Sequence, residues 1–427
     1  MQFLYTLSIR LYHLAVQLAS VFNRKAALWV QGRKGLLETI ALTIDHNDTH
    51  VWFHCASLGE FEQGRPVIER FRKEHPEMKI VLTFFSPSGF QVRKDYNGAD
   101  YVFYMPLDTP RNARRFVAYL QPRLAVFVKY EYWFNHLNAL HEQNIPVVFI
   151  SAIFRKEQMF FRWWGAWFRS QLKKITYFFL QDKASRELLY SIGVRNAVIS
   201  GDTRFDRVCQ VRNNPASFPK VERFVQGSII VMGGSTWPAD EQLLAHFIAR
   251  KHQGLKFILV PHEIDPEKIR KLEAQLEGPV VKYSEYNEEA FKEARVLIVD
   301  QVGMLSSLYQ YASLALIGGG FGKGIHNILE AAAYGMPVIF GPNYHKFAEA
   351  RELVKLGGAF PVTNQQQFEK AVEFLLGNYN HLTTASRIAG EYVTRKKGAT
   401  DTILVFVSAI INPSAFKVKA PDLLNMN

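Results

Sequence analysis

From about residue 50 onward, short apolar runs alternate with segments of helical periodicity, and no other feature constrains the fold as strongly. This alternation predicts βαβ units and parallel sheets. A break near Asn213–Pro219 separates two series of such runs. The first series is Val51–Ala56, Ile80–Phe85, Leu124–Val128, Val147–Ile150, Tyr177–Leu180 and Ala197–Ile199, and the second is Ile229–Met232, Phe257–Val260, Val280–Tyr283, Val296–Val299, Leu314–Ile317 and Val338–Phe340.

The two series predict an α/β protein with two doubly wound, Rossmann-like domains whose parallel sheets face a cleft. A chain of 427 residues exceeds the size at which a single core usually splits. We expect an N-terminal segment at 1–35, domains at 36–215 and 216–405, and a C-terminal helix and tail at 406–427, with packing back onto the first domain as one option. Ligands of such folds bind outside the carboxyl ends of the strands.

The net charge and the cysteine content indicate which classes of binding partner and which cellular compartment to expect. The formal charge of +12 implies an acidic partner, which could be nucleic acid, anionic lipid or a negatively charged small substrate. Two cysteines, Cys55 and Cys209, give no disulfide framework and are typical of a reducing cytosol. No uncharged apolar run approaches the roughly 20 residues that span a bilayer, so no secure transmembrane helix is predicted.

The N-terminus has the pattern of an amphipathic helix. Apolar residues recur every three or four positions, while Arg10, His13 and Gln17 lie away from that stripe, which consists of Leu4, Leu7, Leu11, Leu14, Leu18 and Val21. A cleaved signal peptide is disfavoured because no basic residue precedes Arg10. With the basic residues that follow, the helix could lie on a cytoplasmic membrane face, or it could pack on its own domain.

The segment Phe154–Lys174 mixes six basic residues with aromatic ones, namely Phe160, Phe161, Trp163, Trp164, Trp167 and Phe168. Aromatic rings beside cations suit a lipid headgroup region. They also suit single-stranded nucleic acid, where bases stack on the rings. The third interpretation is a helix that buries its tryptophans.

A glycine-rich turn follows the predicted strand Leu314–Ile317, with five glycines in seven residues. Backbone N–H groups in such a turn can approach a phosphate closely, and a helix beginning near Asn327 would direct its positive end at the same anion. Asn327 and Glu330 are three residues apart, so both side chains can face the turn. Alternatively, the glycines only relieve steric crowding between a strand and a helix.

Two glutamates follow strands of the first series. Glu60 lies in the first turn of a helix, where we expect the helix dipole to keep it ionised, and an ionised carboxylate at a cleft can act as a general base. Ser57 and Glu60 also fit a capping box. Glu131 follows Leu124–Val128 and so lies on the same rim, either as a second carboxylate of a site or as a solvated loop residue. Further along the chain, Arg204 could bind an anion or pair with a neighbouring aspartate.

Taken together, these motifs resemble one family. They are the segments 54–60, 83–89, 104–108, 131–135, 201–206 and 233–237, the glycine turn with 326–342, and Lys346-Phe347. The chain resembles 3-deoxy-D-manno-octulosonic acid (Kdo) transferases of lipopolysaccharide biosynthesis. The resemblance implies a GT-B glycosyltransferase at the cytoplasmic face of the inner membrane of a Gram-negative bacterium, which moves Kdo from CMP-Kdo to a lipid A precursor with inversion and docks on an anionic membrane surface.

The resemblance also implies roles for individual residues. Glu60 matches the general base of the family and Glu131 the second acidic residue of another family motif, while Arg204 would bind a substrate anion. The donor-binding positions would be Ser235, Thr236, His262, Met304, Gly322, Lys323, Gly324, Asn327 and Glu330. We expect no cofactor and no nucleic acid partner. We also expect no metal, since the chain has no D-x-D triplet of the kind that binds a metal-bridged diphosphate donor.

Several positions depart from the family pattern. Lys129 stands where a glutamate is usual, and Ile328 replaces a proline. The segment Pro261–Ile264 lacks the arginine expected near the CMP phosphate, which Lys323 or His262 would have to replace. Two other functions remain open: a UDP-sugar epimerase with the same fold, and a non-enzymatic basic adaptor for membranes or nucleic acid.

Overall fold

The computed structural model describes residues 1–250 and 254–412. The chain divides into two compact units, one formed by Met1–Arg207 together with 397–412 and the other by Val208–Lys396. The division therefore falls at 207/208 and 396/397, several residues before the predicted boundaries. Residues 413–427, most of the predicted tail, lie outside the described residues.

Within the described residues, each unit contains one seven-stranded sheet in which all neighbouring strands are parallel. The strands of the first unit are β1 (His50–Cys55), β2 (Lys79–Phe84), β3 (Tyr101–Tyr104), β4 (Leu124–Val128), β5 (Val147–Ala152), β6 (Tyr177–Leu180) and β7 (Ala197–Ile199). Those of the second unit are β8 (Ile229–Thr236), β9 (Leu255–Pro261), β10 (Val280–Lys282), β11 (Val296–Ile298), β12 (Leu314–Ile317), β13 (Val338–Phe340) and β14 (Ala359–Pro361).

Both sheets have the doubly wound topology. The first has the order β3-β2-β1-β4-β5-β6-β7 and the second the order β10-β11-β9-β8-β12-β13-β14. The strand order thus reverses between β1 and β4, and again between β8 and β12. The prediction of an α/β protein with two Rossmann-like domains is confirmed. Only β3 and β14 were absent from the predicted runs, and both are short, partly exposed edge strands.

Helices connect the strands and cover the sheets. The first unit contains α1 (Gln2–Ala19), α2 (Arg24–Gln31), α3 (Leu36–Thr43), α4 (Leu58–Glu74), α5 (Pro87–Arg93), α6 (Pro110–Leu120), α7 (Phe134–Glu142), α8 (Ala166–Leu172) and α9 (Lys183–Ser191), and α10 (Thr203–Asn213) crosses the unit boundary. The helices that follow are α11 (Pro219–Val225), α12 (Pro238–Ala249), α13 (Pro266–Glu273), α14 (Glu288–Glu293), α15 (Leu305–Leu308), α16 (Leu329–Ala333), α17 (Ala348–Leu356), α18 (Gln365–Leu376), α19 (Tyr379–Arg395) and α20 (Ala399–Ile411).

The last helix packs on the first unit. Ile403 and Val407 of α20 are fully buried in the same core cluster as Val51 and Phe53 of β1. The carboxylate of Asp206 also accepts hydrogen bonds from the backbone N–H groups at the start of α20. Apolar burial and this cap together explain why 397–412 belongs to the first unit.

The predicted N-terminal helix exists as α1, but the stripe that packs on the protein is not the leucine stripe. Tyr5, Thr6, Ile9 and His13 are buried or half-buried. The Tyr5 hydroxyl donates a hydrogen bond to the buried carboxylate of Asp108. The leucine stripe faces solvent instead, with exposed fractions between 41% and 75% for Leu4, Leu7, Leu11, Leu14, Leu18 and Val21.

The aromatic segment divides into a packed part and an exposed part. Phe160 is buried, and the Trp167 ring lies 6.1 Å from the ring of Tyr5 on α1. In contrast, Trp163 is 91% exposed and Trp164 is 48% exposed. The segment therefore buries Phe160 but none of its tryptophans, so the interpretation of a helix that buries its tryptophans is wrong for Trp163 and Trp164. Among residues 1–250 and 254–412, no helix combines the length and the apolar character needed to cross a bilayer.

Candidate active site

Glu60 and Glu131 meet at the point where the strand order of the first sheet reverses. Glu60 is the third residue of α4, directly after β1, and Glu131 lies in the loop after β4. Because β1 and β4 are parallel neighbours, their carboxyl ends share one edge of the sheet. Glu60 is 7% exposed, and the electrostatic coupling of the two carboxyl groups shows that they are close neighbours. The prediction that both lie on one rim is confirmed.

Glu60 is also part of the cap of α4. The backbone N–H of Ser57 donates to Glu60 Oε2 at 3.0 Å, and the Ser57 hydroxyl donates to the same oxygen at 3.3 Å. The capping interpretation is therefore correct. It does not exclude chemistry, because only one of the two carboxyl oxygens is engaged by these contacts.

The expectation that the helix dipole keeps Glu60 ionised is wrong. Burial, and then the charge of Glu131, raise the pKa of Glu60 to about 7. Burial likewise raises the pKa of Glu131 to about 7, although hydrogen bonds from Trp133 and Glu60 and the charge of Lys129 oppose the shift. A helix terminus contributes only about 0.3–1 kcal/mol, less than one pKa unit, so desolvation outweighs it. Both carboxyl groups therefore titrate near neutral pH.

An uncharged histidine, His54, is linked to the two carboxyl groups through Trp133. The Trp133 indole N–H donates to Glu131 Oε2 at 3.0 Å and to His54 Nε2 at 3.1 Å. His54 Nδ1 in turn contacts the Thr83 hydroxyl at 2.9 Å. Burial lowers the pKa of His54 to about 3, so the ring is uncharged and carries its proton on Nδ1. Sequence reasoning missed His54, Thr83 and Trp133, although His54 opens the motif that contains Glu60.

Arg204 is held by a neighbouring carboxylate. Its guanidinium contacts Asp202 Oδ2 through Nε at 2.8 Å and through Nη2 at 2.7 Å. Asp202 is buried and also accepts from Gln63 Nε2 at 3.1 Å. Of the two predicted alternatives, the pairing with Asp202 is therefore present in the structure.

In the second unit, the glycine turn follows β12, at the reversal of strand order. Two of its glycines are required by close backbone approaches: a Cβ on Gly318 would lie 2.1 Å from the carbonyl oxygen of Ser235, and one on Gly320 would lie 2.5 Å from the amide nitrogen of Gly341. Gly319 and Gly324 have positive φ angles. Relief of crowding thus explains part of the glycine content.

The internal hydrogen bonds of the turn limit what it can offer to an anion. Four glycine amides are already used: Gly319 donates to Asp240 Oδ2, and Gly318, Gly322 and Gly324 donate to backbone carbonyls. Within the described residues, the amides of Gly320, Phe321 and Lys323 make no such bond. The helix after the turn, α16, begins at Leu329, within two residues of the predicted start, but it is only five residues long. The predicted contribution of its dipole is therefore small.

Asn327 and Glu330 interact directly beside the turn. Asn327 Nδ2 donates to Glu330 Oε1 at 2.9 Å, and Asn327 Oδ1 accepts from the Leu329 amide at 3.2 Å. Both side chains are only half-buried. The asparagine thus orients a carboxylate that can accept hydrogen bonds from ligand hydroxyl groups.

Three stacked rings, those of Trp237, His262 and His326, lie beside the glycine turn. The ring of His262 lies 4.8 Å from that of Trp237 and 4.3 Å from that of His326. Burial lowers the pKa of His262, and burial with His262 lowers the pKa of His326 to about 4. Burial therefore disfavours the positive charge that His262 would need in order to replace an arginine.

Two lysines, Lys323 and Lys346, lie at the glycine turn and can supply positive charge there. The Lys346 ammonium donates to the Lys323 carbonyl at 2.6 Å, which places it against the turn. A Cβ on Gly324 would lie 2.7 Å from Lys346 Cε. Lys346 was part of a recognised motif but was not predicted as a site residue, because its proximity to the turn depends on the fold.

The other predicted donor positions border the same edge of the sheet. Ser235 has a positive φ of 51°, and the Thr236 hydroxyl donates to Glu241 Oε1 at 3.1 Å. The Met304 carbonyl accepts from the Ser307 and Leu308 amides at the start of α15, so that carbonyl is already occupied. Across residues 1–250 and 254–412, His, Cys, Asp and Glu side chains form no group of three suited to a metal ion.

The sequence is similar to those of known proteins. Residues 30–207 match the family model described as 3-deoxy-D-manno-octulosonic-acid transferase. The chain is 28% identical to the 3-deoxy-D-manno-octulosonic acid transferase of Aquifex aeolicus over 76% of this chain and 86% of that protein. It is 29% identical to the transferase of the same name from Chlamydophila psittaci, over 76% of this chain and 77% of that one.

A solved structure supports the fold alone. The UDP-GlcNAc 2-epimerase of Neisseria meningitidis, bound to UDP-GlcNAc, superposes with a TM-score of 0.58 at 17% identity, over 84% of this chain and 99% of that chain. The family match and the curated relatives show similarity to Kdo transferases, and the epimerase shows similarity of fold. The chain is thus related to the Kdo transferases and has the GT-B fold of glycosyltransferases.

Proposed function

We propose that this protein is an inverting glycosyltransferase that moves Kdo from CMP-Kdo to a lipid A precursor of the lipid IVA type. The observation that supports this most is the pair of desolvated carboxyl groups, Glu60 and Glu131, at the strand reversal of the first sheet. A base with a pKa near the operating pH combines the correct protonation state with a useful driving force for proton transfer. The similarity to named Kdo transferases supports the choice of sugar.

In the proposed step, Glu60 accepts the proton of an acceptor hydroxyl. The hydroxyl oxygen forms a bond to the anomeric carbon of Kdo while the bond from that carbon to the phosphate oxygen breaks. CMP leaves with the electron pair, and attack from the opposite side inverts the anomeric centre. Glu131 and the Lys129 ammonium adjust the proton affinity of Glu60, since the first raises its pKa and the second lowers it.

The second unit would hold CMP. Glu330, oriented by Asn327, can accept hydrogen bonds from the ribose hydroxyls, and Lys323 and Lys346 can neutralise the phosphate. Removal of charge from the leaving CMP is a form of electrostatic catalysis that needs groups fixed in advance. Two lysines at one turn would supply the charge that the missing arginine provides in the family.

We further propose that the protein works at the cytoplasmic face of the inner membrane. The exposed leucine stripe of α1 and the exposed rings of Trp163 and Trp164 belong to segments that contact each other through Tyr5 and Trp167. Leucines on one helix face with tryptophans beside them suit insertion at the level of lipid headgroups. A lipid-borne acceptor could then be used without leaving the bilayer.

Incubation with CMP-Kdo and a lipid A precursor tests the function. We expect a product heavier by one or more Kdo units, detected by mass spectrometry, with release of CMP. UDP-sugar substrates should give no product. Conversion of UDP-GlcNAc to its epimer, with no transfer from CMP-Kdo, would instead establish the epimerase. Failure to bind CMP or UDP in calorimetry would favour the adaptor.

Glu60→Gln tests the base. Glutamine can still accept the hydrogen bond from the Ser57 amide, but it cannot take up a proton. We expect turnover to fall roughly 10²–10⁴-fold, the usual range for loss of a general base. In the unmodified enzyme, the rate should rise as pH increases through about 7, because the pKa of Glu60 lies there and the base acts when deprotonated.

Glu62→Gln is the matched control for this experiment, since Glu62 lies two residues further along α4 and pairs with arginines instead of with Glu131. Its turnover and pH profile should match the unmodified enzyme. A Glu60→Gln enzyme within a few-fold of normal turnover would reject Glu60 as the base and direct attention to Glu131.

Glu330→Ala tests the donor site. Loss of a charge-assisted hydrogen bond should weaken CMP binding by about 1.5–3 kcal/mol, measured by calorimetry. Glu373→Ala removes an exposed carboxylate from α18 and serves as the control, with CMP affinity expected to stay unchanged. An equally small effect of both substitutions, with both proteins folded, would exclude Glu330 from the ribose contact.

Replacement of exposed leucines tests membrane docking while it leaves the packed stripe of α1 intact. The triple variant Leu11→Ser, Leu14→Ser, Leu18→Ser should lose roughly tenfold or more in affinity for anionic vesicles, because inserted apolar area is lost. The control changes exposed residues elsewhere, with Leu42→Ser, Val302→Ser and Leu356→Ser. Equal co-sedimentation of both triple variants with vesicles would show that the leucine stripe does not insert.

A further inference from the structure

A cavity of about 820 Å³, open to solvent, lies between α1 and the start of α6. Its lining includes four arginines and no carboxylate: α1 contributes Phe3, Leu7 and Arg10, and α6 contributes Arg111, Arg114 and Arg115. The proposed reaction uses none of these residues. We name this cavity the arginine pocket.

The four arginines are not equivalent. Arg114 donates to Glu142 at 3.2 Å, and Arg115 donates to Glu38 at 3.2 Å, so these two guanidinium groups already have carboxylate partners outside the lining. Within the described residues, the guanidinium groups of Arg10 and Arg111 make no hydrogen bond or ion pair. The pocket therefore offers two guanidinium groups whose donors are not used inside the protein.

The apolar part of the pocket lies on the exposed side of α1. Phe3 and Leu7 are exposed, and Leu7 belongs to the same leucine stripe as Leu11 and Leu14. A ligand that satisfies the whole pocket must therefore combine an anion with an adjoining apolar chain. Nucleic acid and free inorganic phosphate lack such a chain.

From this combination we propose that the arginine pocket binds the phosphate of an anionic phospholipid headgroup in the bilayer. Arginine donors match phosphate oxygens in pairs, and Arg10 and Arg111 supply such pairs. The acyl chains of the same lipid would lie along Phe3 and the leucine stripe. This inference rests on the proposed docking at the membrane and adds a defined lipid site to it.

The test measures binding of the full-length protein to vesicles of phosphatidylcholine, with and without phosphatidylglycerol. Arg10→Gln with Arg111→Gln should lose about fivefold per arginine, roughly 25-fold in all, on vesicles with phosphatidylglycerol. On phosphatidylcholine alone the variant and the unmodified protein should bind alike. Both arginines lack internal partners, so the melting temperature should not change.

The charge-matched control is Arg270→Gln with Lys355→Gln, two exposed positions in the second unit. It should bind as the unmodified protein does. An equal loss in the control would mean that only total charge matters, and this would overturn the pocket. Arg10→Lys with Arg111→Lys keeps the charge but not the paired donors, so binding within twofold of normal would also overturn it.

Two further measurements distinguish a lipid headgroup from free phosphate and from the acceptor as the ligand of the arginine pocket. Millimolar inorganic phosphate at constant ionic strength should leave vesicle binding unchanged, and its displacement of the protein would assign the pocket to free phosphate. The double variant Arg10→Gln with Arg111→Gln could instead raise the KM for the lipid A precursor and leave vesicle binding intact. That result would show that the pocket binds the acceptor, and the headgroup assignment would fail. If the leucine variant lost vesicle binding while the arginine variant kept it, docking would stand without the lipid site.

Discussion

The reversal of strand order in each sheet determines where chemistry can take place. Helices that follow the strands on either side of a reversal cover opposite faces of the sheet, so the edge between them stays open. In the first unit this edge lies between β1 and β4, which place Glu60 and Glu131 side by side. In the second unit it lies between β8 and β12, where Ser235 and the glycine turn meet. The positions of the carboxylate pair and of the glycine turn therefore follow from the strand order alone.

Burial then decides the chemistry of the first site. Desolvation is the largest cause of the raised pKa of Glu60 and of Glu131, and it is also the cause of the lowered pKa of His54. The histidine therefore does not neutralise the pair with a full charge. Instead, Trp133 bridges His54 and Glu131 through one indole N–H and fixes the position of the second carboxyl group. Both carboxyl groups therefore titrate near neutral pH, where a general base must be able to accept and release a proton.

Most of the fold could be predicted because parallel strands buried on both faces are continuous apolar runs, and the rim positions of Glu60 and Glu131 followed from those runs. The protonation of Glu60 could not be predicted, since it depends on how deeply Glu131 and Glu60 are buried together. The glycine turn was located correctly, but its free amides depend on contacts with Asp240 and Gly234, which are distant in sequence. Lys346 was missed for the same reason: only the fold brings it to Lys323.

The buried carboxylate of Asp108 determines which face of α1 is exposed to solvent. The helix carries apolar residues on two stripes, and hydrophobicity alone would favour burial of the leucines. The Tyr5 hydroxyl, however, reaches Asp108, whose carboxylate also accepts the backbone N–H groups of Asn135 and His136 at the start of α7. A rotation of the helix that buried the leucine stripe would break this bond and leave a buried carboxylate with one donor fewer, at a cost of about 1–3 kcal/mol or more. The same rotation would move Arg10 away from the arginines of α6. The Asp108 contact thus directs the leucine stripe outward and holds Arg10 at the pocket.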